Sequence, residues 1–235
     1  TVNEIIAESF PVSAELAVWA LAYALLIGLA AGITASLSPA SWKDHTAMTA
    51  AIVGICMPAF VLGPILVLIF SLWLGWLPVA GWENLDWRNL WTSLRWENLQ
   101  YRVLPALTLG SAYAAYIARL TRGGMMEVLR QDFIRTARAK GLPERVVILR
   151  HALRGGILPT VSFLGPATAG IVSGSLVIEK IFDIPGLGRF FVDSALNRDY
   201  TMVMGTALFY AVLIILMNIV VDVVYACLDP RVRYD

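Results

Sequence analysis

Charge is what this chain has least of. Only 15% of its 235 residues are Asp, Glu, Lys or Arg, against 58% hydrophobic, and its mean hydropathy is +0.70. That balance excludes a water-soluble domain of ordinary composition and makes the bilayer the natural solvent. Cysteine and histidine are nearly missing, at two each. Cys56 and Cys227 both fall inside apolar runs, where they read as small hydrophobes with no disulfide or metal role. The two histidines, His45 and His151, sit beside charged stretches, and no H-E-x-x-H occurs, so a membrane metallohydrolase has no ligand set to work with. A G-x-x-x-x-G-K-[ST] phosphate loop is absent as well, which excludes this chain as a nucleotide-driven motor. With a net charge of +1, no nucleic-acid partner is expected. No basic flank with a short apolar core precedes the first run, and the chain starts at Thr1, so it reads as a piece of a longer protein.

What is present is long apolar sequence. Residues 16–42, 47–82, 103–118, 155–178 and 200–221 contain no Asp, Glu, Lys, Arg or His. A helix needs about 20 apolar residues to cross a hydrocarbon core of roughly 30 Å, and four of these runs reach that length alone. The third becomes long enough if Arg102 and Arg119 snorkel to opposite interfaces. The expectation is therefore an all-α polytopic membrane protein with five spans. Pro58 and Pro64 interrupt the second, while Pro159, Gly165, Pro166, Gly170 and Gly174 punctuate the fourth. Gly28 with Gly32, and Gly170 with Gly174, have the spacing of close helix packing.

Orientation follows from where the basic residues gather. Residues 119–154 hold Arg119, Arg122, Arg130, Arg135, Arg138, Lys140, Arg145, Arg150 and Arg154 against Glu127, Asp132 and Glu144, a net +6, and so belong in the cytoplasm. The balanced loop 83–102 belongs outside, as do residues 1–14 with Glu4 and Glu8. The turn Lys43 to His45 and the tail with Arg231 and Arg233 belong inside. Five spans put the two ends on opposite faces, which implies a missing first span. Trp76, Trp82, Trp87, Trp91 and Trp96 crowd the external loop, either as an interfacial belt or as a contact surface for an external partner.

Within the basic stretch, Phe133-Ile134-Arg135-Thr136-Ala137-Arg138-Ala139-Lys140 is helix-forming. Gly141 suits a helix C′ position, and Pro143 suits the first turn of a second helix. A helix, a tight elbow and another helix result, too charged to enter lipid. Binding to anionic lipid at about 1 kcal/mol per basic residue would explain the charge but not the elbow. The run Thr136 to Pro143, with Arg150-His151-Ala152-Leu153 and Leu158-Pro159, resembles the cytoplasmic signature of permease subunits in the peptide and nickel group of ABC importers, closest to the B-type permease of oligopeptide systems. Pro185-Gly186-Leu187-Gly188, the run from Ala195 to Tyr200, and Asp229-Pro230-Arg231 extend the likeness, which covers residues 10–234. Arg135-Thr136-Ala137 stands where the general importer signature has Glu-Ala-Ala, which moves the match away from sugar and amino-acid permeases.

The resemblance implies a type I importer transmembrane fold over residues 15–235, with a coupling loop at 132–150. It also implies an inner-membrane location and a set of partners: a second permease subunit, two ATPase subunits that hold the ATP and magnesium, and an external solute-binding protein. It assigns Thr136, Ala137, Arg138, Ala139, Lys140, Gly141, Leu142 and Pro143 to the coupling helix that docks on an ATPase. Ala137 and Ala139 would let the backbone approach the partner, and Arg138 and Lys140 would meet its acceptors. This chain would hold no cofactor or metal. The rival is an ion-coupled secondary transporter or channel subunit, with Asp222, which shares a helical face with Asn218 and Asp229, as the candidate coupling residue.

Overall fold

The computed structural model describes residues 1–83 and 95–228. Trp87, Trp91 and the Asp229-Pro230-Arg231 motif lie outside the described residues, as do the tail arginine Arg233 and the side chain of Asp222. Among the described residues the elements are all helical: α1 (Val2–Leu37), α2 (Trp42–Cys56), α3 (Ala59–Trp73), α4 (Trp96–Leu129), α5 (Asp132–Ala139), α6 (Glu144–Gly156), α7 (Leu158–Ile181), α8 (Leu187–Leu196) and α9 (Tyr200–Leu228). α1, α4 and α9 are each long and apolar enough to cross a membrane. The pairs α2 with α3 and α6 with α7 reach that standard only when each is joined across its break, which gives up to five spans.

The breaks have local causes. Pro58 takes an extended backbone (φ −60°, ψ 140°) and caps α3, so the second apolar run divides there. Pro64 lies inside α3 and does not end it. The turns after it, Val67–Trp73, widen to a π-helix. The acidic stretch before the first apolar run is helical too: α1 begins at Val2 and carries Pro11 without stopping.

The chain forms two compact units. The first comprises Thr1–Tyr23, Met57–Ser111 and Thr168–Leu216. Its core gathers Leu16, Leu104, Leu109, Ile171, Ile178, Phe182, Ile184 and Leu187, all nearly or wholly inaccessible to solvent. Gly110 meets the Ala20 backbone, where a Cβ would stand 2.6 Å from the carbonyl oxygen, so α1 and α4 touch main chain to side-chain-free surface. Arg102 is buried here, 2% exposed, and does not snorkel. Its Nε–H donates to Glu15 at 2.5 Å, its other N–H groups donate to the carbonyls of Asn98 and Glu83, and its guanidinium lies 5.0 Å from the Trp82 ring. An acidic partner on α1 makes burial cheaper than the stretch to an interface. Trp82 thus covers an ion pair, while Trp76 and Trp96 are exposed as the aromatic-belt and partner-surface readings both require.

In the same unit the first turn of α8 sits on the buried carboxylate of Glu179. The Arg189 N–H donates to Glu179 Oε2 at 3.2 Å and the Leu187 N–H donates to Ser13 Oγ at 2.9 Å. A Cβ on Gly188 would come within 2.8 Å of that carboxylate, which explains the small residues of the Pro185-Gly186-Leu187-Gly188 run. A negative group at a helix N-terminus is favourable in both its hydrogen bonds and its field.

The second unit comprises Ala24–Cys56, Ala112–Ala167 and Met217–Asp235. Gly28 and Gly32 pack on α4, where added Cβ atoms would fall 2.6 Å from Ile117 Cγ2 and 2.6 Å from the Ala118 oxygen. That is the close approach their spacing predicts.

Candidate functional site

The basic elbow lies wholly in the second unit. α5 starts after Gln131 in extended conformation, has Asp132 in its first turn and Arg138 in its last, and so places each charge at the favourable end of the helix dipole. Ile134 and Ala137, three residues apart, face inward. They join Met125, Val128, Val147 and Ala152 in a buried cluster that seats the elbow on α4 and α6. Phe133, Arg135, Thr136, Ala139 and Lys140 face out.

The stop after α5 is a complete Schellman motif. The Leu142 N–H donates to the Ala137 carbonyl at 3.4 Å and the Gly141 N–H donates to the Arg138 carbonyl at 2.9 Å. Gly141 has φ +73°, the left-handed conformation that this cap demands. Pro143 is the N-cap of α6 at φ −63° and ψ 141°, one position earlier than the first helical turn the sequence suggested, because its extended ψ is what turns the chain. Arg138 then clamps the corner: its Nε–H and Nη2–H donate to the two Glu144 oxygens at 3.2 and 2.7 Å. This partner holds the Glu144 carboxyl below its ordinary range and raises the Arg138 guanidinium.

One of the eight sequence-assigned residues is placed differently from expectation. Ala137 is 6% exposed and turned into its own chain, so its small size serves the packing of α5 and not a partner's approach. Arg138 faces out and forks onto Glu144 across the elbow. The remaining six are outward. Thr136 bonds the Asp132 carbonyl at 2.9 Å on the open face, and Ala139, Lys140, Gly141, Leu142 and Pro143 form a continuous exposed edge, with Leu142 37% and neighbouring Phe133 47% accessible. Exposed apolar groups within a basic surface are the composition of a docking edge.

Sequence reading missed a second feature of this unit. Arg122 on α4 and Asp44 on α2 form a forked pair, Nε–H to Oδ1 at 2.6 Å and Nη2–H to Oδ2 at 2.7 Å. Only the position of Asp44 beside an apolar run hinted at it, and no spacing rule joins residues 78 apart. Among the described residues no group of three or more His, Cys, Asp or Glu side chains is placed to hold a metal ion.

With this geometry in view, the likenesses of the chain are informative. Residues 24–234 match the family of binding-protein-dependent transport system inner membrane components. The chain is 47% identical over 234 residues to the oligopeptide transport system permease protein OppB of Haemophilus influenzae, and equally to OppB of Escherichia coli K12, spanning 100% of this chain and 72% of each relative. It is 42% identical over 229 residues to the glutathione transport system permease protein GsiC of Escherichia coli K12, spanning 97% of this chain and 70% of that one. Among solved structures it is similar to an amino acid ABC transporter crystallised with histidines, with a TM-score of 0.65 at 15% identity over 95% of this chain and 94% of that one. It is also similar to the MetNI methionine ABC transporter in an inward facing conformation, with a TM-score of 0.66 at 15% identity over 97% and 94% of the two chains. At 15% identity these two structures speak for the fold alone.

Proposed function

This chain belongs to the binding-protein-dependent transport system inner membrane component family, and on that basis we propose that it is the permease subunit of an oligopeptide importer, driven by partner ATPases through the α5–α6 elbow. The observation that carries the solute class is the 47% identity to OppB across the whole of this chain, higher than the 42% to the glutathione permease. What supports the elbow as the coupling element is its build: a small, exposed, doubly clamped corner seated on a spanning helix.

The mechanism follows from stiffness. A lever transmits displacement only if it does not bend at its tip. Here the tip is closed by the Schellman bonds, by the Arg138–Glu144 fork, and by Ile134 and Ala137 inserted beneath it. A partner ATPase seated on Ala139, Lys140 and Leu142 would push the corner as a unit, and close-packed interiors pass such a shift on by moving between discrete arrangements. ATP and magnesium stay with the ATPases, a second permease completes the pathway, and an external binding protein delivers the solute.

The test is cross-linking in the assembled importer. A cysteine at Ala139 or Lys140 is expected to join a cysteine on the ATPase surface, with a yield that changes between the ATP-bound and nucleotide-free states. Labelling of those cysteines from the lipid phase or from outside the cell, with no ATPase adduct in either state, would refute the assignment. Uptake of a labelled peptide that continues with ATP omitted and stops with a protonophore would point instead to an ion-coupled carrier.

A further inference from the structure

Among the described residues, one ion pair links the α1–α2 turn and the start of α2 to another helix. The turn's other hydrogen bonds are local: Ser41 N–H to the Ser38 carbonyl at 3.2 Å, Ser41 Oγ–H to the same carbonyl at 2.6 Å, and His45 N–H to the Ser41 carbonyl at 3.0 Å. The turn also carries Ala40 at φ +58°, a left-handed conformation that a residue with a Cβ adopts only under constraint. The constraint is Asp44, whose Oδ2 accepts the Ala40 N–H at 3.0 Å while both of its oxygens accept from Arg122. Apart from the backbone bonds within α1 and α2 themselves, those two bonds to Arg122 are, among the described residues, the hydrogen bonds of residues 38–46 that leave the turn.

Arg122 stands at a junction. On the same stretch of α4, Thr121 Oγ1 lies 2.9 Å from Thr160 Oγ1 of α7, and a Cβ on Gly156 would meet Met125 at 2.6 Å. Met125 and Val128 are themselves the floor on which the elbow's Ile134 and Ala137 rest. A forked guanidinium–carboxylate pair fixes distance and orientation together, which a sliding apolar contact does not. Asp44 is 3% exposed in the closed pair, while the Arg122 side chain remains 29% exposed.

We propose that Asp44 and Arg122 form a positioning strut that ties the α1–α2 turn to the α4 segment beneath the elbow, so that a displaced elbow carries the start of α2 with it. Neither side chain is assigned a contact with solute or nucleotide. The proposal rests on the elbow being the coupling element, and its test separates the two. The strut predicts that when the pair is broken ATP turnover continues while less of it is converted into transport.

The experiment uses the whole importer, both permeases with ATPases and binding protein, in proteoliposomes, with uptake of radiolabelled trialanine and release of phosphate measured on the same samples. Asp44→Asn and Arg122→Gln are each expected to lower uptake per ATP by about tenfold, within the range typical of coupling between sites. The double variant is expected to be no worse than either single one, because both remove the same link. Arg122→Lys, which keeps the charge but loses the fork, is expected to fall between, and it carries the comparison if a neutral variant fails to accumulate in the membrane. A wild-type ratio in these variants, a parallel loss of uptake and ATP turnover at constant ratio, or additive losses in the double variant would each overturn the strut. Gly141→Val is run beside them. If it lowers the ratio while the strut variants do not, the strut fails and the elbow reading stands. If it too leaves the ratio unchanged, the elbow reading fails and the strut with it.

Discussion

Gly141 isolates backbone strain from packing. A Cβ built there meets nothing within 4 Å, so any substitution acts through conformation and not collision. At φ +73° an L-residue gives up about 1–2 kcal/mol relative to glycine, with alanine near the lower figure and β-branched valine at or above the upper one. Asparagine tolerates the left-handed region and is expected to cost only a few tenths. One or two kcal/mol is a factor of roughly 5–30 in population, so Gly141→Val leaves the Schellman-capped corner open far more often than wild type. The assay pairs hydrogen exchange at the residue 142 amide, which donates to the Ala137 carbonyl, with uptake per ATP in proteoliposomes. Protection and coupling should fall together in the order glycine, asparagine, alanine, valine. Wild-type protection in the valine variant, or an asparagine variant as impaired as valine, would refute the reasoning.

Arg102→Leu is expected to lower the thermal midpoint of the purified importer strongly. It strands the buried Glu15 carboxylate, at a cost of about 3–5 kcal/mol, and adding Glu15→Met should recover much of the loss. If the double variant is no more stable than the single one, the pair is not the source of the effect. In α1, Gly28→Ala forces its Cβ to 2.7 Å from the Ala114 oxygen and should destabilise by about 1–3 kcal/mol. Gly123→Ala, inside α4 toward its C-terminal end, meets nothing within 4 Å and should be neutral or stabilising by up to about 1 kcal/mol. Equal melting shifts for the two glycine variants would contradict the packing described for α1 on α4.

Sequence alone settled what depends on neighbours along the chain. Apolar runs of spanning length located the five span candidates, because transfer into lipid is a property of each segment by itself. The Gly141-Leu142-Pro143 elbow was legible for the same reason: a left-handed cap and an extended N-cap are set by residues in direct succession. Tertiary structure decided every question of partnership. It turned Ala137 inward and gave Arg138 to Glu144, it buried Arg102 against Glu15 at a separation of 87 residues, and it joined Asp44 to Arg122. A buried charge needs an opposite charge or convergent hydrogen-bond donors beside it, and which helices bring those groups together is a fact of packing that no local pattern contains.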